Sequence, residues 1–211
     1  MNPASRPARL PQPAGLFYGW YMVAACAVVA FYAWGLGFYG LGVYLNVFHR
    51  QYGWSVGFIS LTVTGYYLAG AAAVIPIGSI IDRRGPRGVI VYGCLAMGAG
   101  VAALGFVSAR WQLIAVYLVM STGWASMSTT AISSTLLPWF NRRRGRALTL
   151  ALCGASLGGM ALVPLLVALT QAYGFRVATS LAALLLWASV LPLALFVVKR
   201  GPQDLGLLPD G

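Results

Sequence analysis

Residues 147–175 read ALTLALCGASLGGMALVPLLVALTQAYGF, a stretch without Asp, Glu, Lys, Arg or His, bounded by Arg146 before it and Arg176 after it. A helix that crosses a bilayer needs about 20 apolar residues, since each advances it by about 1.5 Å through a hydrocarbon layer about 30 Å thick. This stretch is long enough. The other charge-free intervals are 10–48, 51–81, 88–109, 111–141 and 177–198. Each is long enough in the same way, so six spans are predicted, near 18–44, 55–81, 88–108, 112–137, 147–170 and 177–198. The alternation of a membrane barrel strand is missing, and a backbone in lipid must satisfy its own hydrogen bonds, so every span reads as helix. The predicted fold class is an all-α membrane protein.

Composition leads to the same place. With 60% hydrophobic and 8% charged residues, and a mean hydropathy of +0.80, the chain falls far below the roughly 25% charge of a soluble domain. A soluble enzyme is excluded, and no catalytic residue or cofactor is expected. The net charge of +11 does not indicate nucleic acid, because the basic residues form short clusters between spans and not one continuous patch. With the N-terminus inside, the inner segments hold Arg6, Arg9, Arg83, Arg84, Arg87, Arg142, Arg143, Arg144, Arg146, Lys199 and Arg200; the outer ones hold Arg50, Arg110 and Arg176. The positive-inside rule then places both termini in the cytosol of a multi-pass cell-membrane protein.

Residues 1–15 carry Pro3, Pro7, Pro11 and Pro13 with Arg6 and Arg9 and can bury little, so they read as a disordered cytosolic tail. A cleaved signal peptide is the competing reading, but the apolar run that follows is far longer than a typical signal core of about 7–15 residues. The bundle itself is assigned to 16–200. Cys26, Cys94 and Cys153 fall inside spans, with neither paired spacing nor neighbouring histidine, and read as packing residues; no metal site is expected. His49, beside Arg50, reads as an interfacial loop residue.

The shift that superposes Gly65 on Gly154 also superposes Gly70 on Gly159, Gly85 on Gly174 and Arg87 on Arg176, and brings Pro76 within one place of Pro164. The repeat unit is three spans. Three is odd, so the second unit enters the membrane from the opposite side, giving two inverted three-helix repeats.

Between spans two and three the chain reads Gly78-Ser79-Ile80-Ile81-Asp82-Arg83-Arg84-Gly85-Pro86-Arg87. This resembles the cytoplasmic signature G-x-x-x-D-R-x-G-x-R of the major facilitator superfamily. Tyr52-Gly53-Trp54-Ser55 and the run from Trp139 to Ala147 are similar to the oxalate/formate antiporter and monocarboxylate transporter branch. Residues 201–211 are similar to the start of that branch's central cytosolic loop. The resemblance covers the N-terminal half of a twelve-helix family. It implies secondary transport of a small organic mono- or dicarboxylic acid by alternating access, with the lipid bilayer, the organic anion and a second six-helix bundle as partners. A membrane remnant or interaction subunit with the same architecture is the alternative.

The resemblance also assigns roles to residues. Gly78, Asp82, Arg83, Gly85 and Arg87 become a gating loop that latches against the opposite bundle. Arg142, Arg143, Arg144 and Arg146 become a cytosolic anchor, one of which is expected to pair with Asp82. Spans one and four line the central cavity in the family. In span four Thr122, Ser126, Thr129 and Ser133 recur at helical spacing, which places four hydroxyls on one stripe able to donate to a carboxylate. Ordinary bonding of each hydroxyl to its own i−4 carbonyl is the competing reading. Span one offers Tyr32, Phe38 and Tyr39 as aromatic walls, with Tyr32 and Tyr39 expected on nearly the same face. No predicted span has an interior charge. A buried cation for the anion, or a carboxylate to carry a coupling proton, is therefore not available from these helices.

Overall fold

The computed structural model describes residues 17–210; the tail assigned to 1–15 lies outside them. Span one is α1 (Tyr18–Trp34), a single π turn (Gly35–Tyr39) and α2 (Gly40–Tyr52), which run on as one apolar helix, Tyr18–Tyr52. Spans two and three are α3 (Val56–Arg84) and α4 (Pro86–Leu104). Span four is divided into α5 (Arg110–Ser126) and α6 (Thr129–Leu136). Span five is α7 (Arg144–Tyr173), and span six is α8 (Phe175–Pro192) ending in a second π turn (Leu193–Val197). A short 3₁₀ helix, Pro202–Leu205, follows. The fold is all-α with the six spans that the charge pattern predicts, with one correction: span four is not a continuous helix. Five of the six spans are unbroken apolar helices.

Local chemistry explains where the helices stop. Gly85 and Gly174 both take positive φ (85° and 83°), a conformation only glycine adopts cheaply. Each ends one long helix and lets the next begin immediately, at Pro86 and Phe175. Proline at a first helical position costs nothing, since that N–H has no partner anyway. The two turns are repeat counterparts, as are the 29-residue α3 and the 30-residue α7, each with an internal proline. Small residues set where the helices approach most closely. A methyl group on Gly154 or Gly158 would overlap the backbone of Ala27 or Phe31, so α7 and α1 touch main chain to main chain. Trp187 donates its indole N–H to Cys94 O (3.1 Å) and lies over Gly98, joining α8 to α4. Cys26 and Cys94 are buried in this packing, while Cys153 is exposed.

The charges sort to opposite ends. At one end Tyr18 donates to Val197 O (2.8 Å), Arg200 donates to Arg83 O (3.1 Å) and Asp210 N donates to Trp139 O (3.0 Å). At the other, His49 bonds Trp54 O in the loop (2.8 Å). Arg110 lies over Phe58 and Arg176 over Phe106, at 5.4 and 3.9 Å from the ring centres. The chain therefore crosses the bilayer with the dense arginine clusters on a single side.

Candidate functional site

The π turn in span one decides what that helix presents. Widening the helix by one residue loosens the main-chain ladder, and side-chain hydroxyls reach two of its carbonyls: Tyr44 donates to Leu36 O (3.2 Å) and Tyr66, from α3, to Gly37 O (2.8 Å). Gly37 has to be glycine here, because a Cβ would lie 2.6 Å from Met97 and 2.8 Å from Trp124. The turn pushes Phe38 and Tyr39 outward, each 43% exposed. Phe38 packs edge-on to Tyr67 (5.9 Å), which packs edge-on to Trp124 of α5 (5.9 Å). Tyr39 lies across Gly159 of α7. The result is an aromatic face between α3 and α7, floored by spans one and four.

Tyr32 is not on it. The extra residue of the π turn rotates everything downstream by about 100° relative to a regular helix. Tyr32 is buried against α8, its hydroxyl 2.9 Å from Ser189 Oγ, beside an open groove of about 680 Å³ that also contains Phe31, Cys153 and Leu157. The expected common face of Tyr32 and Tyr39 does not form.

The hydroxyl stripe is also redistributed, because it requires a continuous helix and the chain breaks at Met127–Ser128. Thr122 faces α4, 2.9 Å from Tyr92 OH. Ser126 is fully buried and donates to Thr122 O (2.8 Å), the i−4 bond that competes with ligand binding. Thr129 and Thr130 are exposed, and Ser133 is half-buried. Of the four stripe residues, Thr129 alone is exposed, while Thr122 and Ser133 are half-buried. Tyr66, Tyr67, Trp124, Ser128 and Thr130 were not singled out in the sequence. The repeat shift could have found two of them, since it carries Gly35–Tyr39 onto Trp124–Ser128.

At the arginine-rich end, Asp82, Arg83 and Arg87 at the junction of α3 and α4 are exposed around buried Gly85, with half-buried Gly78 a turn earlier. Among the described residues the Asp82 carboxylate makes no hydrogen bond, and the expected pairing with Arg142, Arg143, Arg144 or Arg146 is absent. Arg144 instead donates to Phe140 O (2.6 Å), and Arg200 covers Gly85. Asp210 reaches the loop before α7 and accepts from the N–H groups of Asn141 (2.7 Å), Arg142 and Arg143 (3.4 Å). Desolvation pushes its carboxyl up, but those donors and the charge of Arg143 outweigh it and hold the group below the usual carboxylate value.

This architecture can be compared with known proteins. The model of the Major Facilitator Superfamily matches residues 23–209. The chain belongs to that superfamily. It is 30% identical to human monocarboxylate transporter 11 over 190 residues, covering 82% of this chain and 37% of the relative. It is 25% identical to MFS-type transporter 1 of Ophiocordyceps sp. (strain BCC 1869) over 194 residues, 90% of this chain and 42% of the relative. It is 28% identical to the probable L-galactonate transporter of Escherichia coli (strain K12) over 128 residues, 60% of this chain and 28% of the relative. The facilitator chain thus spans less than half the length of these relatives. Its aromatic face and its break in span four lie within the matched region.

Proposed function

We propose that this facilitator bundle moves a small organic mono- or dicarboxylic acid across the cell membrane by alternating access, rocking against a second six-helix bundle. The observation that carries the reading is an open face of aromatic rings and hydroxyls between α3 and α7, without any charge, in a chain of this superfamily. Phe38, Tyr39, Thr129 and Ser133 are its walls. Rings exclude water from the apolar part of a small acid, and hydroxyls donate to its oxygens without stranding a charge in the bilayer. The relatives named as monocarboxylate and L-galactonate transporters support an organic acid as cargo.

The gate lies at the arginine-rich end, which the positive-inside rule assigns to the cytosol. Asp82 is exposed beside Arg83 and Arg84, so an opposing bundle can make and break charge-assisted bonds with it as the cavity opens and closes. Arg142, Arg143, Arg144 and Arg146 hold α7 at anionic headgroups. The test is uptake of labelled oxalate, formate or lactate by proteoliposomes, with and without a co-expressed second bundle. Uptake above empty vesicles, lowered by Asp82→Asn and by Thr129→Val, is expected. Uptake equal to empty vesicles in both preparations would refute the reading.

A further inference from the structure

Span four breaks about midway between Arg110 and Arg142, at a depth where lipid offers an N–H group nothing to bond. The first backbone bond of α6 runs from Ile132 N to Ser128 O (3.0 Å). Thr129, Thr130 and Ala131 are the first three residues of α6, so their N–H groups have no i−4 acceptor within that helix. Ser128 stands at the N-cap position with extended backbone (φ −71°, ψ 174°), where a serine ordinarily accepts from its own helix, yet it makes no such bond. Its hydroxyl is buried, with the residue 6% exposed, and it has no partner at all. Irregular backbone at membrane depth persists only where it is buried in protein or lines a water-filled cavity. Thr129 and Thr130, next in the chain, are exposed and open this helix end to the surface.

We propose that the amino end of α6 is the anion site of this bundle: the Ser128 hydroxyl and the N–H groups of Thr129 and Thr130 take one carboxylate of the cargo. The inference rests on the carrier reading above and deepens it. Three donors and the positive end of a helix supply what a buried lysine or arginine would otherwise provide, and no spanning helix here carries one. Charge enters only with the substrate, so the empty site is not destabilised by an unpaired cation.

Proline at the first position of α6 deletes the Thr129 N–H while suiting both a helix start and an extended preceding residue. Thr129→Val keeps that N–H and removes only the hydroxyl. Sodium oxalate titrated calorimetrically into the chain in nanodiscs, against sodium chloride, is expected to bind selectively. Both substitutions remove the Thr129 hydroxyl and only proline removes the N–H, so Thr129→Val is expected to weaken oxalate modestly and Thr129→Pro about tenfold or more beyond Thr129→Val, the effect of losing one charge-assisted hydrogen bond. Should the proline variant not fold, Ser128→Asp provides the second test. Its own carboxylate fills the site, so oxalate binding is expected to vanish while the unfolding temperature rises. Oxalate binding no better than chloride, equal binding by Thr129→Val and Thr129→Pro, or oxalate binding retained by Ser128→Asp would overturn the site. Proline-sensitive binding without uptake leaves the site standing and removes the carrier reading; uptake untouched by Thr129→Pro does the reverse.

Discussion

Spans one and four are counterparts in the inverted repeat, and each is interrupted: span one by the π turn Gly35–Tyr39, span four at Met127–Ser128, which the repeat matches to Phe38–Tyr39. The first interruption is closed: hydroxyls of Tyr44 and Tyr66 bond two of its carbonyls, and the helix continues. The second is open, with Ser128 Oγ buried and unpartnered and the helix stopped. One topology has therefore produced a satisfied π turn in one span and an uncapped helix start in the other. The neighbours decide which, because α3 offers Tyr66 to span one, whereas among the described residues nothing bonds the Ser128 hydroxyl.

The surrounding packing is unequal in the same sense, and the largest predicted effect comes from breaking it. Gly154 presses on the Ala27 backbone, while its counterpart Gly65 faces open space beside a groove of about 180 Å³ that includes Thr62, Tyr66 and Tyr117. Gly154→Ala is expected to cost about 1–3 kcal/mol of stability, because the main chains of α1 and α7 must separate. Gly65→Ala is expected to stay within about 0.5 kcal/mol, as nothing lies within 4 Å of its added methyl. Denaturation of the purified protein in detergent compares the two. Equal losses would mean that span one is no more firmly anchored than span four.

Tyr66→Phe tests closure directly. Removing the hydroxyl leaves Gly37 O buried without that donor, which is expected to cost about 1–2 kcal/mol. By contrast Ser126→Ala, whose hydroxyl only duplicates a bond within its own helix, is expected to cost well under 1 kcal/mol. A loss for Tyr66→Phe no greater than for Ser126→Ala would show that the π turn of span one needs no outside support.

The six spans were legible because charges are so scarce that each marks a helix end, and α7 differs from its expected limits, 147–170, by only three residues at either side. Gly85 and Gly174 announced their turns, because only glycine suits that backbone. The break in span four was not legible. Met127 and Ser128 are neither glycine nor proline, and what interrupts the helix is not written in its local sequence. The aromatic wall was half legible: Phe38 and Tyr39 could be named, but Tyr67 and Trp124 join them through tertiary contacts, and the π turn removed Tyr32 by a rotation that no regular period predicts. Contacts from distant segments were the least legible, as with Asp210, which lies 67 to 69 residues from the amides it holds.

That contact sharpens the comparison at the helix that follows each span. After span one, Ser55 caps α3 from within the same loop, accepting from Phe58 N (3.3 Å). After span four, the residue matching Ser55 is Arg144, which cannot accept, and Asp210 satisfies the amides before α7 from the far end of the described chain. Asp210→Asn is therefore expected to loosen the 141–143 segment without altering the helices, the smallest of these effects. Amide exchange at Asn141, Arg142 and Arg143 is expected to quicken in the variant, whereas Ser55→Ala perturbs only the start of α3. The pH dependence has a definite sign. The Asp210 carboxyl is held below its ordinary value, so its contribution is complete above about pH 4 and disappears as pH falls through the depressed value. Exchange at these amides that is equally slow in wild type and Asp210→Asn at neutral pH would show that α7, like α3, is held by its own loop.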